Sequence, residues 1–213
     1  ANDELKLFLT IIFVVVLVST LTLYVKEEFS IKDSIRYGFF QSISIVTTTG
    51  YTLEPLSGLG GTIGFLIFIL AFIGACSGSV GGGMKVWRVL LMIKVGFSNI
   101  TKIIHPSAIS SVKLNGEKVV SSQIEAVFSF IAIYISFFLL FMFILIFQNV
   151  DFYTAFSGTA AAINNLGPGL GSFSENYSSL SDVGKLTLTM AMIVGRLELF
   201  GVLILFVPSF WRS

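Results

Sequence analysis

The chain is 213 residues long, with 54% of them hydrophobic and 12% charged. A typical soluble domain carries about 25% charged residues, so with a mean hydropathy of +0.91 this composition reads as an integral membrane protein. The net charge of +1 argues against nucleic acid as a partner. A single cysteine, Cys76, and a single histidine, His105, exclude a disulfide framework and cysteine- or histidine-cluster metal centres within the chain.

A helix needs about 20 apolar residues to cross the hydrocarbon core, and residues 5–25 supply one such span. Asp3 and Glu4 precede it and no small-residue cleavage site follows, so it reads as a true span and not a secretory signal. The first residue is Ala1 and not Met, from which we expect a fragment or a processed chain. Residues 33–46 (DSIRYGFFQSISIV) are semi-apolar, too short to span, and begin at Asp33, a favourable helix N-cap. The polar run V-T-T-T-G-Y-T follows at 46–52.

Residues 62–97 are too long for one ordinary span and are interrupted at 77–83 by S-G-S-V-G-G-G. Each glycine costs about 1 kcal/mol relative to alanine in a helix interior. The expectation is two helical pieces joined by a non-helical segment at membrane depth, which survives only where protein or a water-filled cavity covers it. His105-Pro106 ends the preceding helix. V-K-L-N-G-E-K-V at 112–119 reads as a hairpin on an Asn-Gly turn.

Residues 123–147 supply another span. Residues 151–163 (DFYTAFSGTAAAI) form a second short segment that begins at an Asp, and I-N-N-L-G-P-G follows. Residues 183–207 supply a last span, closed by Pro208. The order span, half-helix, turn, span therefore occurs twice. Setting Gly50 over Gly167 aligns the two polar turns, brings the two Asp residues within one position, and places Phe72-Ile73-Gly74 over Ile193-Val194-Gly195.

The predicted fold class is an all-α polytopic membrane protein of two helix–pore-loop–helix repeats with re-entrant half-helices. The second span of the first repeat is broken by the Gly-rich loop. Residues 1–104 form one repeat (span 5–25, half-helix 33–46, turn 47–52, broken span 62–97). Residues 105–122 form a hairpin connector, and 123–213 the other repeat (span 123–147, half-helix 151–163, turn 164–169, span 183–207).

Orientation follows from the loops. Residues 84–118 carry Lys85, Arg88, Lys94, Lys102, Lys113 and Lys118 against Glu117 alone, while 26–54 and 149–185 carry a slight acidic excess. The positive-inside rule places 84–118 in the cytoplasm and both half-helix turns outside.

Two half-helices that enter from outside and end partway in would aim their C-terminal carbonyls, which carry partial negative charge, at a central axis. The backbone after them can replace the hydration shell of an ion. Gly50 supplies the positive φ that a β-branched residue adopts only at a cost, and the threonine hydroxyls can tie the segment to the surrounding protein. Thr48, Thr49, Gly50, Asn165, Leu166 and Gly167 are thus candidate cation ligands through their carbonyls. An ordinary polar turn between helices is the plainer reading of one copy; the second copy favours a filter. Compared with the T-V-G-Y-G of potassium channels, the first copy lacks the second glycine (Thr52 stands there), so fewer ordered ion sites and looser discrimination are expected.

Gly83 is followed by Met84 where a phosphate-binding loop needs lysine. The only histidine lies far from C-S-G-S, so a serine-protease reading fails. Arg196 falls in the last span, where an ionised guanidinium costs at least about 2.5 kcal/mol and should face a cavity or a partner. A structural ion pair with another helix is the alternative. No nucleophile–base pair or metal-ligand cluster is present, so an enzyme is not expected.

The stretches SISIVTTTGYT, GACSGSVGGGMKVWRVL, HPSAISSVKLNGEKV, AINNLGPGLG and GRLELFGVLILFVPSFWR together resemble the potassium-uptake superfamily of TrkH and KtrB membrane subunits, most closely the TrkH branch. The resemblance covers nearly the whole chain and implies the C-terminal half, the third and fourth of four pore repeats. It also implies that the 77–83 loop lies under the filter as a gate, built from Gly78, Gly81, Gly82 and Gly83 with Arg196 near it in the pore. A plain helix break or a packing patch is the other reading of that loop.

The implied function is potassium uptake, with potassium as the transported ion and no organic cofactor, in a bacterial inner membrane. The implied partners are the remaining pore repeats (an upstream half or a second copy), a homodimer of full-length subunits, a cytosolic nucleotide-binding regulator of the TrkA type, and the lipid bilayer. Sodium or poorly selective cation permeation, and a non-conducting scaffold for a cytosolic regulator, are the rival readings.

Overall fold

A computed structural model of the chain describes residues 2–26, 29–53, 61–105, 111–197, 199–205 and 210–211. The described residues are mostly helical: α1 (Asp3–Lys26), α2 (Ile31–Val46), α3 (Gly61–Leu70), α4 (Val86–Ile104), α5 (Ser121–Phe147), α6 (Phe152–Ile163), α7 (Asp182–Arg196) and α8 (Phe200–Leu205). Strands β1 (Lys113–Leu114) and β2 (Glu117–Lys118) form an antiparallel hairpin, with Lys113 opposite Lys118. Its turn places Asn115 at φ 53° and Gly116 at φ 90°, the paired positive φ that a two-residue Asn-Gly connection requires.

α1 and α5 are long and apolar enough to cross a membrane by length and composition. Both leave large apolar side chains exposed, among them Phe13, Leu17 and Leu21 on α1 and Leu139, Phe143 and Phe147 on α5. A helix apolar around its circumference suits a lipid surface. α1, α2 and α3 contact one another pairwise, and so do α5, α6 and α7. An aromatic cluster joins the two groups: Phe72 meets Tyr134, Phe138 and Phe156 at centroid distances of 6.3, 5.4 and 6.0 Å. Such pairs add about 0.5–1.5 kcal/mol each beyond the area they bury.

The two short helices start differently. α6 is capped by Asp151, whose carboxylate accepts from the Thr154 N–H at 2.9 Å; that bond holds the Asp151 carboxyl below its ordinary value. α2 does not begin at Asp33. Its N-cap is Ser30, whose hydroxyl accepts from the Asp33 N–H at 3.2 Å and donates to the Asp33 carboxylate at 2.7 Å. The helix is longer by two residues because a serine three positions ahead of an acid forms a reciprocal cap. α6 is rich in alanine and glycine, and every residue from Ser157 to Ile163 is buried, which lets its neighbours approach closely.

The expected single span over 183–207 is interrupted. α7 ends at Arg196, Leu199 takes φ 53°, and its N–H donates to Val194 O at 3.1 Å before α8 begins at Phe200. This places Arg196 in the last turn of a helix, where a cation offsets the partial negative charge of the carbonyls. Glu198, Pro106 and Pro208 lie outside the described residues.

The non-helical segment between α3 and α4 is longer than the glycine run: it covers residues 71–85. Its base is closed by Met84 N–H on Phe72 O at 2.9 Å and Val86 N–H on Ala75 O at 3.1 Å, so residues 76–81 project as a loop tip.

Candidate functional site

The C-terminal ends of α2 and α6 have the same backbone course. Thr47 and Asn164 are the C-caps at φ −83° and −88°, both with ψ −1°. Thr48 and Asn165 follow at φ 55° and 52°, and Gly50 and Gly167 at φ 84° and 105°. Thr48 N–H returns to Ile45 O and Asn165 N–H to Ala162 O, both at 3.0 Å. A β-branched residue with positive φ is an outlier that costs about 1–3 kcal/mol. Thr48 holds it through its hydroxyl, which accepts from Gly82 N–H at 2.9 Å.

The two turns lie against each other. A Cβ at Gly50 would stand 1.9 Å from Leu166 O. Hydroxyls fix the first turn: Ser44 Oγ donates to Tyr51 O at 2.6 Å, Thr47 Oγ1 donates to Ile43 O at 2.7 Å, and Thr47 and Thr49 share a hydrogen bond of 2.8 Å. In the second turn Ser157 Oγ accepts from Leu170 N–H at 3.0 Å, Tyr134 OH donates to Asn164 Oδ1 at 2.6 Å, and Tyr177 OH donates to Gly167 O at 2.8 Å. Burial pushes the Tyr177 phenol well above its ordinary value, which keeps that O–H a donor. Among the described residues, the carbonyls of Thr48, Thr49, Gly50, Asn165 and Leu166 accept no hydrogen bond, whereas that of Gly167 does.

The loop tip sits against both helix ends. A Cβ at Gly81 would meet Thr48 Oγ1 at 3.1 Å and Thr47 O at 3.3 Å, and one at Gly82 would stand 1.8 Å from Asn164 O. Arg196 Nη1 donates to Val80 O at 2.7 Å. Ser79 to Gly83, Lys85, Gly195 and Arg196 line a pocket of 230 Å³. The structure thus brings Gly81, Gly82 and Arg196 to the turns at 47–50 and 164–167. Gly78 lies apart, at the open tip, where an added Cβ would meet nothing within 4 Å. Gly83 closes the base, where a Cβ would meet Ala71 O and Gly74 Cα at 2.8 Å.

Lys85 was counted above with the cytoplasmic cations, but it is 6% exposed and donates to Ser79 O at 2.7 Å and Gly81 O at 2.6 Å. It is a part of the loop and not of the cytoplasmic charge. Its position two residues after the glycine run was the available signal. Ser44, Ser157 and Tyr177, which fix the turns, had no comparable mark in the sequence.

α7 reaches this site only because residue 195 has no side chain. A Cβ at Gly195 would stand 1.9 Å from Ile163 O. Overpacking of this kind costs about 1–3 kcal/mol, so Gly195→Ala is expected to lower the thermal unfolding midpoint of the detergent-solubilised protein. An unchanged midpoint would contradict the close α6–α7 approach.

Residues 5–213 match the TrkH family, described as a cation transport protein. The chain belongs to the TrkH family. It is 37% identical over 212 residues to the Trk system potassium uptake protein TrkH of Halomonas elongata, a match that covers 100% of this chain and 44% of that protein. It is 38% identical over 213 residues to the TrkH protein of Escherichia coli K12, again over 100% of this chain and 44% of the relative. The crystal structure of the potassium transporter TrkH from Vibrio parahaemolyticus superposes with a TM-score of 0.92 at 36% identity, over 99% of this chain and 45% of that one. The chain therefore spans less than half the length of these TrkH relatives. Membership of the TrkH family makes it an integral membrane protein of a transporter family.

Proposed function

We propose that the chain supplies half of a potassium-permeable pore, as part of the ion-translocating subunit of a Trk-type uptake system in the bacterial inner membrane. One observation carries this reading: two half-helices end in matching turns that meet at Gly50 and Leu166 O. Each helix end contributes about half a negative charge, and the carbonyls of Thr48, Thr49, Gly50, Asn165 and Leu166 remain able to face a cation. Gly167 is the weaker ligand of the expected set, because its carbonyl already accepts from Tyr177.

In this reading two turns make one side of the filter, and the other side comes from an upstream half or a second copy. The loop of residues 77–83 is the gate beneath it, held against both helix ends and anchored by Arg196. Potassium is the cargo, and the relatives named as potassium uptake proteins favour it. The membrane potential drives entry at about 2.3 kcal/mol per charge per 100 mV. A homodimer of full-length subunits and a TrkA-type nucleotide-binding regulator at the cytoplasmic face complete the proposed assembly.

Sodium or poorly selective permeation is the second reading, favoured by the single glycine with positive φ in each turn. Rubidium uptake into proteoliposomes that contain the full-length protein separates the two. Uptake that excess sodium fails to block is expected; equal competition by sodium would overturn the potassium assignment. No flux from folded protein supplied with its cytosolic regulator would favour a non-conducting scaffold.

A further inference from the structure

Glu4 stands in the first turn of α1 and is 7% exposed. Its carboxylate accepts from the Ser77 backbone N–H and, at 2.8 Å, from Ser77 Oγ. An acid from the start of the chain therefore grips the loop tip. The neighbouring residue is tied elsewhere. Asp3 N–H donates to Asn115 Oδ1 at 2.7 Å, and the Asp3 carboxylate accepts from Lys94 Nζ at 2.7 Å and from Asn115 N–H at 3.3 Å. Asn115 is the first residue of the hairpin turn. Lys94 also donates to Lys113 O at 2.9 Å, so α4 shares this anchorage.

We propose that Asp3 and Glu4 form a mechanical link between the hairpin and the intramembrane loop, with Glu4 as the residue that positions Ser77. The consequence for conduction rests on the reading of that loop as the gate. Three observations support the link. Among the described residues both donors to the Glu4 carboxylate belong to Ser77, and hydrogen bonds to an ionised acceptor are roughly twice as strong as neutral ones. The hairpin has strands of two residues each; an isolated hairpin is marginal, so its position depends on contacts outside it, the packing of Leu114 and Val119 on the core and the anchorage to Asp3 and Lys94. A pocket of 320 Å³ lies between hairpin and loop, bounded by Glu4, Ser77, Trp87, Leu114, Asn115 and Val119 among others. A shift of the hairpin toward this space moves Leu114 and Val119 against the core they pack on, and the first turn of α1 carries the shift to Ser77.

The test uses the full-length protein in proteoliposomes, with native cysteines replaced and Val80→Cys introduced, because Val80 is 83% exposed at the loop tip. The rate of modification by a methanethiosulfonate reagent reports loop position, and rubidium uptake reports conduction. Glu4→Ala is expected to raise the modification rate roughly tenfold, the scale set by loss of hydrogen bonds to a charged group, with the rubidium-to-sodium ratio unchanged. Glu4→Gln keeps an acceptor for the Ser77 N–H and is expected to give a smaller rise; it serves if the alanine variant does not fold. Asn115→Ala is expected to raise the rate as well, with no further increase when combined with Glu4→Ala. An unchanged rate in both folded Glu4 variants, or fully additive effects of Glu4 and Asn115, would overturn the link. A raised rate with unchanged uptake would uphold the link and instead remove the gate reading of the loop.

Discussion

Replacing Gly50 by serine is expected to reduce rubidium uptake at least about tenfold and to move the rubidium-to-sodium ratio toward unity, since about 1.4 kcal/mol at the filter is worth a factor of ten. Two costs combine. Gly50 has φ 84°, which an L side chain adopts at about 1–2 kcal/mol. Its Cβ would also fall 1.9 Å from Leu166 O, a backbone atom of the other turn. The carbonyl must move, and both turns lose their register together. Normal uptake and an unchanged ratio would show that these turns are not the filter.

Replacing Arg196 by glutamine is expected to raise rubidium uptake in the absence of any regulator, by roughly tenfold on the scale of a lost charged hydrogen bond. The guanidinium donates to Val80 O at 2.7 Å and lines the 230 Å³ pocket beneath the turns. It therefore fastens the loop tip and, in the proposed pore, would place a positive charge on the ion path; glutamine removes the charge and shortens the reach. Arg196→Lys keeps the charge without the planar fork and is expected to fall between the two. Uptake unchanged in the glutamine variant, together with altered assembly, would mark Arg196 as a structural residue of a scaffold.

Much of this arrangement was legible in the sequence for identifiable reasons. Long apolar runs mark α1 and α5, because length and composition alone define a span. Asp151 marks the start of α6, since its carboxylate is the cap that such a helix needs. The Asn-Gly pair at 115–116 marks the hairpin, because that turn requires two positive φ values. What escaped were features that depend on tertiary contact. The break after Arg196 falls within Leu-Glu-Leu-Phe, with no Gly or Pro to signal it. Leu199 takes a positive φ in a local turn that returns its N–H to Val194 O, a turn its residue type does not announce. Lys85 counts as an ordinary loop cation until the fold places its ammonium between Ser79 O and Gly81 O. Thr48 was read as an ion ligand through its carbonyl and the threonine hydroxyls as ties to the surrounding protein; that the Thr48 tie runs to Gly82 is visible only once residues 34 positions apart are brought together.

The most direct measurement is the anomalous scattering of rubidium in crystals of the full-length protein soaked in rubidium salt. A peak within about 3 Å of the carbonyls of Thr48, Thr49 or Gly50 and of Asn165 or Leu166, the spacing of backbone oxygens that replace a hydration shell, is the predicted result. Rubidium flux without a peak at these turns, or with its only peaks elsewhere, would contradict the assignment of residues 47–52 and 164–169 as one side of the filter.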